Sequence, residues 1–258
     1  MQKNKTSFYQ SQTDHSPEDP KGPRFIALVP AAGSGSRFGA SQPKQLSSIL
    51  GKPMIQLSVT TLLEHPALQA VYVVLAPQDA VVESVLPQHA KLRILKVGGS
   101  TRQASVCNGL EALADQEDGA WVLVHDAARP GLTHAMLDRL IAIAADHPVG
   151  GILALPVSDT LKRANADDLR DGSQTPDIEK TISRAGLWAA QTPQMFRYSD
   201  LLRALKKANE SGIDVTDEAS AMEAIGLQPC LVMGSLRNWK VTYATDLKMV
   251  ETLMKLDI

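Results

Sequence analysis

From residue 25 to residue 155, short apolar runs alternate with segments whose apolar residues recur at helical spacing, and this alternation constrains the fold more than any other feature. Phe25-Ile-Ala-Leu-Val-Pro30 is apolar throughout, as a strand buried on both faces of a parallel sheet must be. Residues 54–64 then place Ile55, Val59, Leu62 and Leu63 on one helical face. The same step repeats, with strands predicted at 71–76, 92–97, 121–125 and 151–155. Helices are predicted between them at 79–86, opened by Asp79, at 102–114, with Val106, Leu110 and Leu113 inward, and at 133–146. Repetition of this length implies an α/β fold, a mostly parallel twisted sheet with helices on both faces.

The pattern breaks between 156 and 184. A long polar stretch with Asp167, Asp168, Asp171, Gly172, Ser173, Pro176 and Asp177 is flanked by Thr160-Leu-Lys-Arg163 and Lys180-Thr-Ile-Ser-Arg184. Two short strands joined by a polar tip fit this segment. An isolated two-stranded ribbon is marginal in water, so a projecting β-arm implies a partner surface and hence a homodimer. Beyond it, strands are predicted at 188–191, 230–233 and 239–242, helices at 199–209 and 218–225, and a last helix from about Thr245. There is no internal repeat.

Composition narrows the class. With 258 residues and 44% hydrophobic content, the chain can bury one large core, assigned to 25–258. Residues 1–24 are polar and contain Pro17, Pro20 and Pro23, the composition of a disordered leader. A net charge of -2, from 26 basic and 28 acidic side chains, argues against a nucleic-acid partner. No apolar run approaches the roughly 18 residues of a membrane span, and the N-terminus has no uninterrupted apolar signal segment. Cys107 and Cys230 stand far apart with no metal-type spacing, which suits a reduced, cytoplasmic protein.

Three segments at predicted strand ends carry chemistry. Pro30-Ala-Ala-Gly-Ser-Gly-Ser-Arg37 continues to Pro43-Lys-Gln45 directly after the first strand. Small residues at Ala31, Ala32 and Gly33 let backbone amides approach a polyphosphate, and Arg37 and Lys44 add two cations to the same loop. Cations so placed stabilise charge that builds on phosphoryl oxygens. The loop is not a Walker loop, because Lys44 follows Pro43, and its third glycine, Gly39, falls one position late for a dinucleotide fingerprint. In the second segment, Gly98-Gly-Ser-Thr-Arg-Gln-Ala-Ser105, Gly99 is suited to a base edge, Ser105 offers a hydroxyl and Arg102 a phosphate partner. In the third, His125-Asp-Ala-Ala-Arg-Pro130, Asp126 ends a central strand, where carboxylates bind ribose or hydrated Mg2+. Arg129 is a further candidate, while His125 reads as a packed residue rather than a base. Arg184, Thr192, Thr216 and Lys240 end short apolar segments, and Asp217 and Glu218 fit a helix-capping role.

These blocks, with Asp159-Thr160, Thr192-Pro-Gln194, Val215-Thr-Asp-Glu-Ala-Ser220 and Lys240-Val-Thr242, closely resemble the 2-C-methyl-D-erythritol 4-phosphate cytidylyltransferases from about Phe25 to the C-terminal helix. The resemblance implies a Rossmann-like nucleotidyltransferase fold with a dimerising arm at 156–184. It implies CTP and 2-C-methyl-D-erythritol 4-phosphate as substrates, Mg2+ as cofactor, and no residue acting as a dedicated metal ligand. By the same likeness, Arg37 and Lys44 stabilise the transition state, and Ala31, Ala32 and Gly33 wrap the triphosphate. Gly99 and Ser105 receive cytosine, with Ser100 where members often carry Asp. Asp126 lies at the junction of nucleotide and acceptor. Lys240 and Arg184 position the acceptor phosphate, Thr192 and Thr216 line its site, and Arg129 and Thr160 reach substrate across the dimer. A cytidylyltransferase acting on ribitol 5-phosphate is the competing enzyme reading, and a non-catalytic nucleotide-binding protein the competing class.

Overall fold

The structure, a computed structural model, describes residues 22–33, 43–114, 119–170, 172 and 174–256. Most of the predicted leader therefore lies outside the described residues, as do Asp171 and Ser173 of the arm tip. In chain order the first half comprises β1 (Phe25–Pro30), a hairpin of β2 (Ser48–Ile49) and β3 (Lys52–Pro53), α1 (Met54–Glu64), β4 (Leu68–Val74), α2 (Ala80–Ser84), β5 (Leu92–Leu95), α3 (Arg102–Glu111), β6 (Trp121–Val124), α4 (His134–Ala144) and β7 (Gly150–Pro156). Then follow β8 (Leu161–Ala164), α5 (Ala166–Arg170), β9 (Ile178–Ile182), β10 (Trp188–Arg197), α6 (Tyr198–Glu210), α7 (Glu218–Ala224), β11 (Cys230–Met233) and α8 (Asp246–Lys255).

The main sheet has seven strands in the order β11-β7-β10-β6-β1-β4-β5. Every neighbouring pair is parallel except the two made by β10, which runs antiparallel to both β6 and β7. The α/β reading is correct, and β1 explains why. Its alternate residues feed two cores, Ala27 and Val29 packing with Ile55, Val59 and Leu62 of α1 and Leu137 and Leu140 of α4. Ile26 and Leu28 pack on the other face with Val106 and Leu110 of α3 and Leu201 and Leu205 of α6. A period of two set between helices on both sides is what makes the run apolar at every position. A third, smaller cluster of Ile49, Met54, Ala128, Val241 and Val250 ties the hairpin and α8 to the loop after β6.

Two strand predictions need correction. β10 was expected to end at 191 but continues to Arg197, with a register shift between Ala190 and Gln194. Pro193 supplies no N–H, and the irregularity is where a central strand tolerates that loss. Residues 239–242 lie outside any strand, and of the four only Val241 is buried. Val241 N–H donates to the Ala128 carbonyl at 2.9 Å, so the neighbour is a loop and not a ladder.

The arm is an antiparallel pair of β8 and β9, with Leu161 opposite Ile182 and Arg163 opposite Lys180. Its tip holds the short helix α5, which the polar composition concealed; Asn165 Oδ1 accepts from Asp167 N–H at its start, at 2.9 Å. No described residue from 156 to 190 is buried, and Leu169 and Ile178 are 57% and 64% exposed.

Phe196 of β10 is fully buried, lies between Val122 and Gly150 on the neighbouring strands and belongs to the second core. Phe196→Ala is expected to destabilise the fold by about 3–5 kcal/mol, read as a lowered urea midpoint at unchanged slope.

Candidate active site

The parallel strands β1, β4, β5 and β6 deliver their carboxyl ends to one edge of the sheet, where α/β folds bind ligands. There Ala31 N–H bonds the Val74 carbonyl at 2.8 Å, and Gly98 N–H bonds the Leu75 carbonyl at 2.8 Å. The two loops touch: a Cβ on Gly98 would overlap Ala32 Cβ and stand 2.7 Å from the Leu75 carbonyl oxygen. Gln45 secures the first loop from the other side, its Nε2 donating to the carbonyls of Ala31 and Gly33 at 3.1 Å each. This role escaped the sequence reading, although Gln45 closes the Pro43-Lys-Gln45 block.

The result is a cleft of about 460 Å³ lined by Ala31, Ala32, Gly33, Lys44, Gly99, Ser100, Arg102, Ser105, Asp126 and Lys240. A smaller polar hollow of about 190 Å³ shares Arg102, Asp126 and Lys240 and adds Arg129, Thr192 and Thr216. Residues drawn from six separate sequence blocks thus meet at one strand edge. Arg37 lies outside the described residues. Thr160 and Arg184 sit exposed on the arm segment and line neither hollow, so within this chain they are not brought to the site.

Asp126 is the electrostatic centre. Its carboxylate, 6% exposed as a residue, has Arg102 Nε at 2.8 Å on Oδ1, with Lys240 Nζ at 2.8 Å and Arg129 Nε at 3.6 Å on Oδ2. Burial alone would raise this carboxyl's pKa; the charges of Arg102, Lys240 and Arg129 outweigh it and hold the group well below the carboxylate range. Arg102 also forks onto Glu218, Nη1 to Oε1 at 2.7 Å and Nη2 to Oε2 at 3.1 Å. Its burial opposes charge, but the two carboxylates prevail and raise its pKa. Arg102, Arg129 and Lys240 against Asp126 and Glu218 leave one positive charge in excess among these five, and Lys44 lines the same cleft.

Several expected roles change in detail. Glu218 is not merely a capping residue: Asp217 and Ser220 form the capping box of α7, while Glu218 is 1% exposed and committed to Arg102. Arg102 in turn spends three donors on Asp126 and Glu218, so it is not the open phosphate fork suggested by its loop. Ser105 donates to the Thr101 carbonyl at 2.9 Å and accepts from Gly99 N–H at 3.1 Å, holding the glycine loop shut rather than presenting a free hydroxyl. Arg129 is buried in its own chain, with Nη1 donating to the Asn238 carbonyl at 2.8 Å and Nη2 to the Ala190 carbonyl at 3.3 Å. Both ends of the guanidinium thus donate to backbone carbonyls of its own chain.

His125 is a brace. Its Nε2 meets the Arg129 carbonyl at 3.1 Å, which only accepts, so that nitrogen carries the proton and Nδ1 accepts from Thr192 Oγ1 at 3.0 Å. The Thr192 hydroxyl also accepts from Asp126 N–H at 3.0 Å. One buried ring thereby fixes both residues that flank the cation cluster. Burial holds its pKa down to about 4, against the opposing pull of the Asp126 charge. The neutral ring with both nitrogens engaged supports the packed reading over a general base.

The same shift has a consequence for stability. Between the ordinary value of 6.5 and about 4, the unfolded chain binds a proton at His125 that the folded chain refuses. Stability is therefore full above pH 6.5 and falls as pH drops through this window, by about 1.4 kcal/mol per pH unit for a single group. His65, also lowered chiefly by burial, acts in the same direction. Urea unfolding between pH 7 and pH 5 is expected to show this slope in the wild type and a clearly shallower one in His125→Gln. An equal slope in both proteins would contradict the buried neutral ring.

Comparison with known proteins agrees with this geometry. The family model of 2-C-methyl-D-erythritol 4-phosphate cytidylyltransferase matches residues 25–256. A curated relative of that description from Dechloromonas aromatica (strain RCB) is 51% identical over 240 residues, covering 90% of this chain and 98% of the relative. Another from Paraburkholderia phytofirmans is 48% identical over 233 residues, covering 90% and 96%. Among solved structures, a 4-diphosphocytidyl-2C-methyl-D-erythritol synthase superposes with a TM-score of 0.76 at 37% identity, over 91% of this chain and 100% of that one. The Francisella tularensis 2-C-methyl-D-erythritol 4-phosphate cytidylyltransferase gives a TM-score of 0.75 at 29% identity, over 89% and 99%.

Proposed function

The chain belongs to the 2-C-methyl-D-erythritol 4-phosphate cytidylyltransferase family, and from that premise we propose how its residues divide the work of the reaction. The enzyme transfers CMP from CTP to 2-C-methyl-D-erythritol 4-phosphate, giving 4-diphosphocytidyl-2-C-methyl-D-erythritol and pyrophosphate. A phosphate oxygen of the acceptor bonds to the α-phosphorus of CTP, and the bond from that phosphorus to the β-phosphate bridging oxygen breaks. The nucleophile is anionic at neutral pH, so catalysis reduces to placement and charge stabilisation.

The observation that carries this reading is the buried Asp126 carboxylate surrounded by Arg102, Arg129 and Lys240 beside a glycine-lined cleft. Backbone at Ala31, Ala32 and Gly33 receives the triphosphate, and Gly99 and Ser100 face the cytosine. Ser105 shapes that subsite by gripping Gly99. Lys44, with Arg37 of the same loop, stabilises charge on the α-phosphate and the departing pyrophosphate. Lys240 takes the acceptor phosphate, with Thr216 at the rim of its hollow and Thr192 holding Asp126 from behind.

Mg2+ is the proposed companion of CTP. Among the described residues no group of three or more His, Cys, Asp or Glu side chains is arranged to hold a metal, and both Asp126 oxygens face cations. The donor set fits an ion carried mainly by phosphate oxygens and water. When bound, it would neutralise part of the triphosphate charge. Among the described residues no helix is long and apolar enough to cross a membrane, and a cytoplasmic location is the compartment this reading expects.

The arm is proposed to clasp a second copy, with Thr160 and Arg184 serving the neighbour's acceptor site. Its support is that no described residue of the arm is buried and that Leu169 and Ile178 are exposed. Mixing Arg184→Ala with Lys44→Ala chains tests it: in mixed dimers one site carries neither defect, so activity is expected above that of either mutant alone. Verified mixed dimers without recovery would refute the shared site.

Two further outcomes are expected. Lys44→Ala lowers kcat by about 10²-fold or more, since its charge matters most in the transition state. A kcat within about twofold of wild type would remove Lys44 from the chemistry. Pyrophosphate release is expected with CTP and 2-C-methyl-D-erythritol 4-phosphate, and far more slowly with ribitol 5-phosphate. The opposite preference would transfer the assignment to the pentitol substrate, and CTP binding without pyrophosphate release would leave only a binding protein.

A further inference from the structure

Glu218 is a buried carboxylate that the reaction scheme above does not use. It opens α7, has 1% of its surface exposed and gives both oxygens to the Arg102 guanidinium. Such a carboxylate is expensive to bury, and helix capping does not account for it, since Asp217 already caps the helix. The approach of α7 is itself clamped: Gln194 of β10 donates through Nε2 to Asp217 Oδ2 at 2.8 Å and accepts from Ala219 N–H at 2.8 Å. Gln194 is 1% exposed.

The connection continues into the site. A guanidinium held by a bidentate carboxylate has its plane fixed, and here its Nε–H is aimed at Asp126 Oδ1. With that oxygen occupied, Oδ2 is left to Lys240 at 2.8 Å and, more distantly, to Arg129 Nε at 3.6 Å. Arg102 thus acts as a rigid spacer between a helix outside the cleft and the carboxylate inside it.

We infer that Glu218 is a positioning residue for the transfer. It orients Arg102, and through it Asp126, so that the Lys240 ammonium waits where the acceptor phosphate must arrive. This rests on the acceptor site proposed above. The charge of Glu218 matters as well as its shape. It offsets Arg102, so the excess positive charge of the cluster is concentrated at Lys240, on the solvent side, where the side chain is 37% exposed. The effect therefore falls on the acceptor more than on CTP, whose subsite is built from backbone at Ala31–Gly33 and Gly99.

The test compares Glu218→Gln with wild type, measuring pyrophosphate release while each substrate is varied in turn. Glutamine keeps the shape and one acceptor but loses the charge and the second oxygen. Kcat/KM for the acceptor is expected to fall about tenfold or more, with KM for CTP changed by less than about threefold. Glu223→Gln, on the exposed face of the same helix, is expected to match wild type. In an Arg102→Gln background, the added Glu218→Gln change is expected to shift turnover by less than about twofold, because the two act in series.

Wild-type turnover on the acceptor is the internal reference; its absence would sink the functional reading itself. Given that turnover, three results overturn the inference: Glu218→Gln equal to wild type, equal losses for both substrates, or an undiminished effect without Arg102. Circular dichroism and thermal unfolding confirm that the variants fold. If Glu218→Gln and Glu218→Asp both fail to fold, the residue is structural and the inference falls.

Discussion

One carboxylate holds the site together. Removing Asp126 from water costs several kcal/mol if it stays charged, and it can do so only because cations surround it. A pair at about 4 Å is worth about 4 kcal/mol at an effective dielectric near 20, so two or three such contacts outweigh the penalty where one would not. The cations come from α3, from the loop after β6 and from the segment after β11, which are far apart in sequence. Each is thereby drawn to the strand edge by the same charge. A polyphosphate entering the cleft meets cations whose positions have been set before it arrives, which is the condition for stabilising a transition state without reorganisation.

The backbone beneath this cluster is equally constrained. His125 and Thr192 form a hydrogen-bond chain from the Arg129 carbonyl to the Asp126 amide, wholly inside the protein. Asn238 extends it, its Nδ2 donating to the Thr192 carbonyl at 2.7 Å while its own carbonyl receives Arg129. β10 runs antiparallel to both neighbours, which sets Gln194 opposite Val124 at the end of β6 and opposite Ile152 of β7, with Thr192 two residues nearer the carboxyl ends of those strands. The single antiparallel strand in the sheet is thus what lets one short block brace the site on one side and α7 on the other.

Sequence exposed the parts of this arrangement that depend on local rules. The burial of β1 on both faces, the helix over 54–64 and the caps at Asp79 and Asp217 follow from periodicity and side-chain chemistry within a few residues. The glycine loop and the Lys44, Asp126 and Lys240 positions stood at predicted strand ends, where ligands collect. What sequence concealed is pairwise and distant. Glu218 begins a helix, where a carboxylate needs no other reason to be, and its partner Arg102 lies 116 positions away. Arg129 reads the same whether its guanidinium turns inward or outward, and only the carbonyls of Ala190 and Asn238 decide it. Ser105 looked like a ligand because a hydroxyl one turn into a helix is suited to that, yet the nearby Gly99 amide and Thr101 carbonyl satisfy it first.

The residues that were missed share a physical character. Gln45, Gln194 and Asn238 are buried amides, each able to donate and accept at once, and each joins two backbone segments that no helix or ladder connects. A charged side chain in these places would demand a counter-ion and disturb the balance at Asp126; an apolar one would leave carbonyls and amides unsatisfied. Neutral amides need no counter-ion and satisfy carbonyls on the neighbouring segments, although Asn238 does so with its own Oδ1 left without a partner. The cleft is therefore organised in two layers: charged side chains that line it, and neutral amides behind them that join the loops. Lys240, on a segment with no strand of its own, is held by the residue that follows it. Val241 is pinned to Ala128, its carbonyl accepts from Lys44 at 3.2 Å, and its side chain is sealed among Ile49, Met54 and Val250. The loop's order comes from these neighbours, so the two lysines that line the cleft are tied to one another through a single residue of backbone.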